Sequence, residues 1–68
     1  MASVVNDPLR TPVETGDLLG VKPETLAYWR WRGEGPNYVR VGKRPRYRQS
    51  EIDRWVSERE RPAESGGD

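Results

Sequence analysis

A run of cations between residues 40 and 48 contains the side chains best suited to bind a partner. Arg40, Lys43, Arg44, Arg46 and Arg48 place five positive charges in nine residues, with no acidic residue among them. Guanidinium and ammonium groups clustered in this way are typical ligands of phosphate groups. A solvated charged surface is the alternative, but a run of one sign interrupted by turn residues favours contact with nucleic acid. We predict that Lys43, Arg44 and Arg46 contact DNA.

A second set of candidate DNA contacts precedes this run and has helical spacing. A glutamate can accept a hydrogen bond from cytosine N4, and a threonine or an aromatic ring can contact the thymine methyl group. A lysine beside a helix N-terminus suits a phosphate, because that end of the helix is positive. The predicted contacts are Lys22, Glu24, Thr25, Tyr28 and Arg32. Glu24 has two interpretations, a reader of a base edge or a partner of the helix dipole.

The same sequence excludes most catalytic and metal chemistry. It has no cysteine and no histidine, which excludes disulfides, thiolate zinc sites and histidine-based dyads. Carboxylate pairs remain, such as Glu51 with Asp53, but neither has a neighbouring base or pocket-forming apolar residues. We therefore expect no catalytic residue, no metal and no cofactor, and a protein that is not an enzyme.

Charge is sorted along the 68 residues. Residues 22–48 contain eight basic and two acidic residues, a net charge of +6, and the remainder carries −5. A solvated surface usually mixes its signs, so this sorting indicates that one face meets a polyanion. In the alternative interpretation the two halves pair through salt bridges, but exposed ion pairs contribute too little to explain the sorting.

Two helices joined by a short turn are predicted first. Thr11, Pro12 and Glu14 form the start of a helix with a capping box, and Gly20 is suited to end it. Leu18 and Leu19 supply its apolar end. Gly16, inside this helix, weakens it, so we expect another backbone to approach closely there.

The second predicted helix begins at Pro23 and ends at Gly33. Leu26 and Trp29 share a face that packs inward. Trp31 lies on the opposite face, where it either packs under the following hairpin or contacts nucleic acid; we favour packing, because so short a chain has little core. Arg30 lies nearer the buried side, where we expect an ion pair with an acidic residue.

A basic hairpin and a third helix follow. Residues 38–41 alternate as a strand with Val39 and Val41 on one face, residues 42–45 form the turn, and residues 46–48 return with Tyr47 inward. Because Pro45 cannot donate a hydrogen bond to a neighbouring strand, the hairpin should be small and edge-like. Ser50 is the predicted N-cap of the third helix, with Asp53 at the capping-box position. Its inward residues are Ile52, Trp55 and Val56.

These elements predict a mostly α domain with a small β-hairpin, in the order helix, turn, helix, wing, helix. That order is a winged helix-turn-helix. We predict a flexible N-terminus over residues 1–8, the domain over residues 9–58 and a disordered acidic tail over residues 59–68. No stretch is apolar enough for a signal peptide or a membrane span, so we expect a cytoplasmic protein.

Residues 9–57 contain an ordered set of short motifs: Thr11-Pro12, Leu18-Leu19-Gly20-Val21, Pro23, Thr25-Leu26, Trp29-Arg30, Gly33, Gly35-Pro36, Tyr38-Val39, Gly42-Lys43-Arg44, Arg46-Tyr47-Arg48, Ser50, Ile52 and Trp55. This set resembles MerR-type winged-helix modules, and within them the small excisionases, or recombination directionality factors, of actinobacterial phages. The sequence departs from the family at Thr15, Lys22 and Pro45.

The resemblance implies that the second helix enters the major groove through Glu24, Thr25 and Tyr28. It implies that Lys43 and Arg44 touch the adjacent minor groove or backbone. Such proteins bind repeated sites cooperatively, bend DNA and direct a tyrosine integrase toward excision. The implied partners are double-stranded DNA, a tyrosine integrase and further copies on tandem sites, with no membrane and no small-molecule effector. A small MerR-like transcriptional regulator is the main alternative, and a protein-interaction module without DNA specificity is another.

Overall fold

The computed structural model describes residues 7–60. Three helices and a small three-stranded sheet make up this part of the chain. In chain order they are β1 (Leu9–Arg10), α1 (Pro12–Leu19), α2 (Pro23–Arg32), β2 (Val39–Val41), β3 (Arg44–Arg48) and α3 (Gln49–Ser57).

Helices α1 and α2 form the predicted unit. The Thr11 hydroxyl accepts from the Glu14 amide at 3.1 Å, and the Glu14 carboxylate accepts from the Thr11 amide at 2.9 Å. Gly20 ends the helix with a φ of 75°. A Cβ at Gly16 would lie 2.5 Å from the Val21 carbonyl oxygen, which confirms the predicted close approach. Glycine at this position lets the chain turn tightly into α2.

The sheet differs from the predicted two-stranded hairpin. Its order is β1-β3-β2, because Leu9 pairs with Arg48 and Arg10 pairs with Tyr47, all antiparallel. A strand of two residues has no periodic pattern that could reveal it in the sequence. Strand β1 is therefore defined only by its pairing with the free edge of β3.

The turn of the wing (β2, β3 and their turn) is shorter than predicted. Val41 pairs with Arg44, so only Gly42 and Lys43 lie between the strands, and Gly42 has the positive φ, 65°, that the first position of a type II′ turn requires. Pro45 is in β3 opposite Arg40. This pair follows the hydrogen-bonded pair that closes the turn, so the proline nitrogen faces away from β2. Strand β1 pairs only with Tyr47 and Arg48, so no strand lies opposite the proline nitrogen. The missing amide hydrogen of Pro45 therefore costs no hydrogen bond within the sheet.

The N-cap prediction for the third helix is wrong. Helix α3 begins at Gln49, and Ser50 lies in its first turn. The Asp7 carboxylate accepts from the Ser50 amide at 2.8 Å and from its hydroxyl at 2.9 Å. These two hydrogen bonds, and then the Arg48 guanidinium, hold the pKa of Asp7 below its ordinary value. Asp53, predicted to complete a capping box, accepts from the Gln49 amide side chain instead.

The ordered contacts begin two residues before the predicted domain start at residue 9. Besides the Asp7 contacts, the Gln49 amide donates to the Pro8 carbonyl at 2.9 Å. Residues 1–6 and 61–68 lie outside the described residues, so the flexible N-terminus and the disordered tail stay predictions.

The core consists of Leu26, Tyr47 and Ile52, all predicted to face inward. Trp29 and Trp55 stack beside it, with ring centroids 5.4 Å apart. Val56, predicted to face inward, is exposed instead, and so are Leu18 and Val41. Three short helices and a wing of only ten residues (39–48) leave these side chains uncovered.

The arrangement of helices and sheet confirms the winged helix-turn-helix. Within residues 7–60, no helix has the length and apolar character needed to cross a membrane.

Candidate nucleic-acid interface

Helix α2 presents the face that the sequence predicted as a reader. Glu24 and Tyr28 are exposed, and Thr25 is half-buried beside them. Trp31, expected to pack under the hairpin, is 80% exposed, so that expectation is wrong. The space between α2 and the sheet is filled by Arg30 and the tyrosines that it contacts. The spacing of Trp31 from Glu24 and Tyr28 was the signal that it shares their exposed face of α2.

Tyr28, Trp31 and Arg32 form an exposed cluster at the C-terminal half of α2. The two aromatic rings lie 6.1 Å apart at 34°, and the Arg32 guanidinium lies 5.8 Å from the Tyr28 ring centroid. Arg32 also lies 3.5 Å from the Glu34 carboxylate. An exposed ion pair of this kind contributes little, so Arg32 can exchange it for a phosphate.

The N-terminal end of α2 carries the other two candidates. Lys22 is the N-cap, is exposed and makes no side-chain capping bond. Its carbonyl accepts from the amides of Thr25 and Leu26. Glu24 lies in the first turn, where its charge suits the helix dipole. The position is compatible with both interpretations of Glu24.

Arg30 ties the reading helix to the wing, but not through the predicted ion pair. Its guanidinium donates to the Tyr47 hydroxyl at 2.8 Å and lies 5.7 Å from the Tyr38 ring centroid. Arg40, on β2, lies at the same distance from the Tyr38 ring. The Arg30 guanidinium is thus held by the Tyr38 ring and the Tyr47 hydroxyl. Arg30 positions α2 against the wing, a role that the sequence did not suggest.

The wing carries positive charge that the described part of the chain does not neutralise. Lys43 occupies the turn and Arg44 follows it; both are exposed, and neither forms an ion pair within residues 7–60. Arg46 is half-buried and donates to the Pro45 carbonyl at 2.7 Å, which holds it closer to the sheet. Arg48 lies 3.9 Å from Asp7. The cations nearest the turn are therefore the freest to bind an anion.

The cations of α3 and of the described residues that follow it are paired with neighbouring carboxylates. The Arg54 guanidinium lies 2.5 Å from the Glu51 carboxylate and 3.7 Å from that of Glu58, which also pairs with Arg59 at 3.8 Å. The Arg54 guanidinium, and then the Asn37 amide, hold the pKa of Glu51 below its ordinary value, and Glu51 raises the pKa of Arg54.

The two halves of the charge distribution do not neutralise each other. Among residues 7–60, only the Arg48–Asp7 pair joins the basic segment 22–48 to the acidic remainder. Within these residues, the salt-bridge interpretation of the sorted charges is therefore wrong.

Comparison with known proteins agrees with this geometry. The family model described as "Helix-turn-helix domain" matches residues 11–60. Neither the comparison with curated proteins nor that with solved structures found a match. The chain therefore belongs to the helix-turn-helix domain family, a DNA-binding family that includes excisionase-like proteins.

Proposed function

We propose that this protein is an excisionase-like architectural factor that binds repeated sites on duplex DNA cooperatively, bends the DNA and directs a tyrosine integrase toward excision. The exposed Trp31 on the reading helix is the observation that carries its first step, the reading of DNA. A tryptophan has about 200 Å² of surface, and 80% of it is exposed here. Burying about half of that exposed surface on DNA would contribute about 2 kcal/mol, about 30-fold in affinity.

In this proposal the two basic elements have different roles. Helix α2 lies in the major groove, where Glu24, Thr25 and Tyr28 contact base edges and Lys22 and Arg32 contact flanking phosphates. The wing contacts the adjacent backbone or minor groove through Lys43 and Arg44, with Arg46 behind them. Base contacts give specificity, and the wing gives affinity for any duplex.

Repeated sites follow from the small size of the reading surface. One module of this size covers few base pairs and has limited specificity by itself. Several copies on adjacent repeats add their contacts, and coupling of about 1–3 kcal/mol between neighbours is typical of communicating sites. The basic DNA-facing side and the more acidic remainder allow neighbouring copies to approach each other.

The integrase supplies the chemistry in this scheme. We propose that the protein itself has no catalytic activity, needs no cofactor or small-molecule effector, and acts in the cytoplasm where the DNA is. Its contribution is the shape of the bent DNA and the placement of the recombinase on it.

The first experiment identifies the site and then counts copies. Duplexes selected from a random library define the bound sequence, and titrations then use DNA with one, two and four repeats. Circular-permutation mobility reports the bend. We expect affinity per site and bend angle to rise with the number of repeats.

The second experiment separates the proposal from a small MerR-like transcriptional regulator. Purified integrase and its attachment-site DNA are assayed for excision with and without the protein. Stimulated excision supports the architectural role. Independent filling of the repeats, no increase in bend and no effect on excision would contradict it and favour the regulator.

A further inference from the structure

An apolar groove lies between α1 and α3, and it shares no residue with the proposed DNA contacts. Its volume is about 380 Å³, and Leu18, Leu19, Ile52 and Val56 line its floor. Leu18 is 55% exposed and Val56 39%, whereas Ile52 between them in the groove is buried. Groups of exposed aliphatic side chains with polar neighbours are typical of interaction sites.

The rim of this groove, which we call the α1–α3 groove, is acidic. Asp53 and Glu60 line it, both are exposed, and neither forms an ion pair within the described residues. Asp53 is held in place because it accepts from the Gln49 side chain at 3.0 Å, and Gln49 in turn accepts from Arg10 at 2.6 Å. The groove therefore combines an apolar floor with two carboxylates free to pair with cations.

We propose that the α1–α3 groove binds a basic segment of a partner protein, with one or two aliphatic anchors and flanking lysine or arginine residues. The aliphatic anchors bury Leu18 and Val56, and the flanking cations pair with Asp53 and Glu60. Because the groove is separate from α2 and the wing, the partner can bind while the protein holds DNA. The inference rests on the proposed function for two points, the expectation that the partner is the integrase and the use of Lys43 and Arg44 for DNA.

Two other occupants of the groove are excluded, a second copy by competition with DNA and residues 61–68 by their charge. The wing of a second copy is basic and carries the exposed Val41, but its Lys43 and Arg44 cannot bind DNA and a neighbouring groove at the same time. Residues 61–68 contain one arginine and two acidic residues, the same net sign as the rim. Residues 1–6 include the apolar Met1, Ala2, Val4 and Val5 and are tested below.

The binding experiment uses the full chain labelled with ¹⁵N and two synthetic helical peptides with the same leucine spacing, one flanked by lysines and one by glutamates. We expect the lysine peptide to shift the amide signals of Leu18, Asp53 and Val56 but not those of Tyr28 or Lys43. Binding at the wing, no binding, or equal binding of the glutamate peptide would overturn the proposal. A gain in peptide affinity on changing Val4 and Val5 to serine would identify residues 1–6 as the occupant instead.

Matched charge variants test the rim. Asp53→Asn with Glu60→Gln removes two carboxylates from the groove, and Glu34→Gln with Glu58→Gln removes two elsewhere. Exposed ion pairs are weak individually, so the first double variant should bind the lysine peptide about 2- to 30-fold more weakly. The second should bind it as the wild type does, and equal losses in both variants would contradict a specific rim.

A final pair of measurements separates this inference from the proposed function. Leu18→Gln with Val56→Gln changes two exposed side chains, and thermal unfolding checks that the variant folds. We expect its DNA affinity to equal that of the wild type, while stimulation of excision falls at least fivefold. Full stimulation by this variant would overturn the groove as the integrase site. If the wild type itself does not stimulate excision, the proposed function fails, whereas the groove is still judged by the peptide titration.

Discussion

The salt dependence of DNA binding offers a sharp test of the wing. The change is Lys43→Gln with Arg44→Gln, which removes two charges at and beside the turn and keeps side chains of similar length. Both residues are exposed and unpaired within residues 7–60, so each is free to displace one counterion from a phosphate. We expect weaker binding to every duplex, specific or not, because phosphate contacts do not depend on sequence.

The magnitude follows from counterion release. Each phosphate contact contributes about 0.9 to the slope of log K against log salt. Losing two contacts therefore flattens the slope by about 1.8. Between 50 mM and 200 mM salt, the wild-type affinity should fall about 12-fold more than that of the variant.

The control uses two cations that already pair with carboxylates, one in α3 and one just after it. Arg54→Gln with Arg59→Gln changes the net charge by the same amount, but Arg54 pairs with Glu51 and Glu58, and Arg59 pairs with Glu58. The assay is fluorescence anisotropy with one duplex at five salt concentrations. The control should have the wild-type slope. An unchanged slope in the wing variant, or an equal change in the control, would show that the wing does not touch the DNA backbone.

Three further predictions concern stability and the reading helix. Thr15→Val should raise the free energy of unfolding by about 1–2 kcal/mol, because the buried Thr15 hydroxyl has no hydrogen-bond partner. Thr11→Val should lower the free energy of unfolding by about 0.5–2 kcal/mol, because it removes the N-cap of α1. Urea unfolding in which both variants changed stability in the same direction would refute this pair of predictions. Trp31→Ala should leave the free energy of unfolding within about 0.5 kcal/mol and weaken DNA binding about 30-fold, whereas Trp55→Ala should cost about 3 kcal/mol of stability. The pKa of Asp7 is lower in the folded state, so its stabilisation is present above its ordinary pKa of about 4 and is lost as the pH falls through the lowered value. The gap between the urea midpoints of wild type and Asp7→Asn should therefore be constant above about pH 5 and shrink as the pH falls below about 4; a gap that does not shrink would contradict the capping role.

The helix-turn-helix itself could be predicted from the sequence because its determinants are local. Thr11 and Glu14 satisfy each other within one helical turn, and Gly16 marks the close approach of the chain that follows. The exposed face of α2 that carries Glu24 and Tyr28 followed from helical periodicity alone. In each case the interacting groups are at most five residues apart, so their relative positions are set once the helix forms.

Contacts between residues far apart in the chain were revealed only by the tertiary structure. Strand β1 and the Asp7 cap of α3 join segments about 40 residues apart, and neither has a periodic pattern or an adjacent partner. The same holds for Arg30, which contacts a tyrosine of β3 where sequence reasoning expected a carboxylate. Trp31 and Val56 remain exposed because burial depends on how far the small sheet extends over each helix. Hydrophobicity indicates which side chains gain from burial, but only the assembled fold determines which of them are covered.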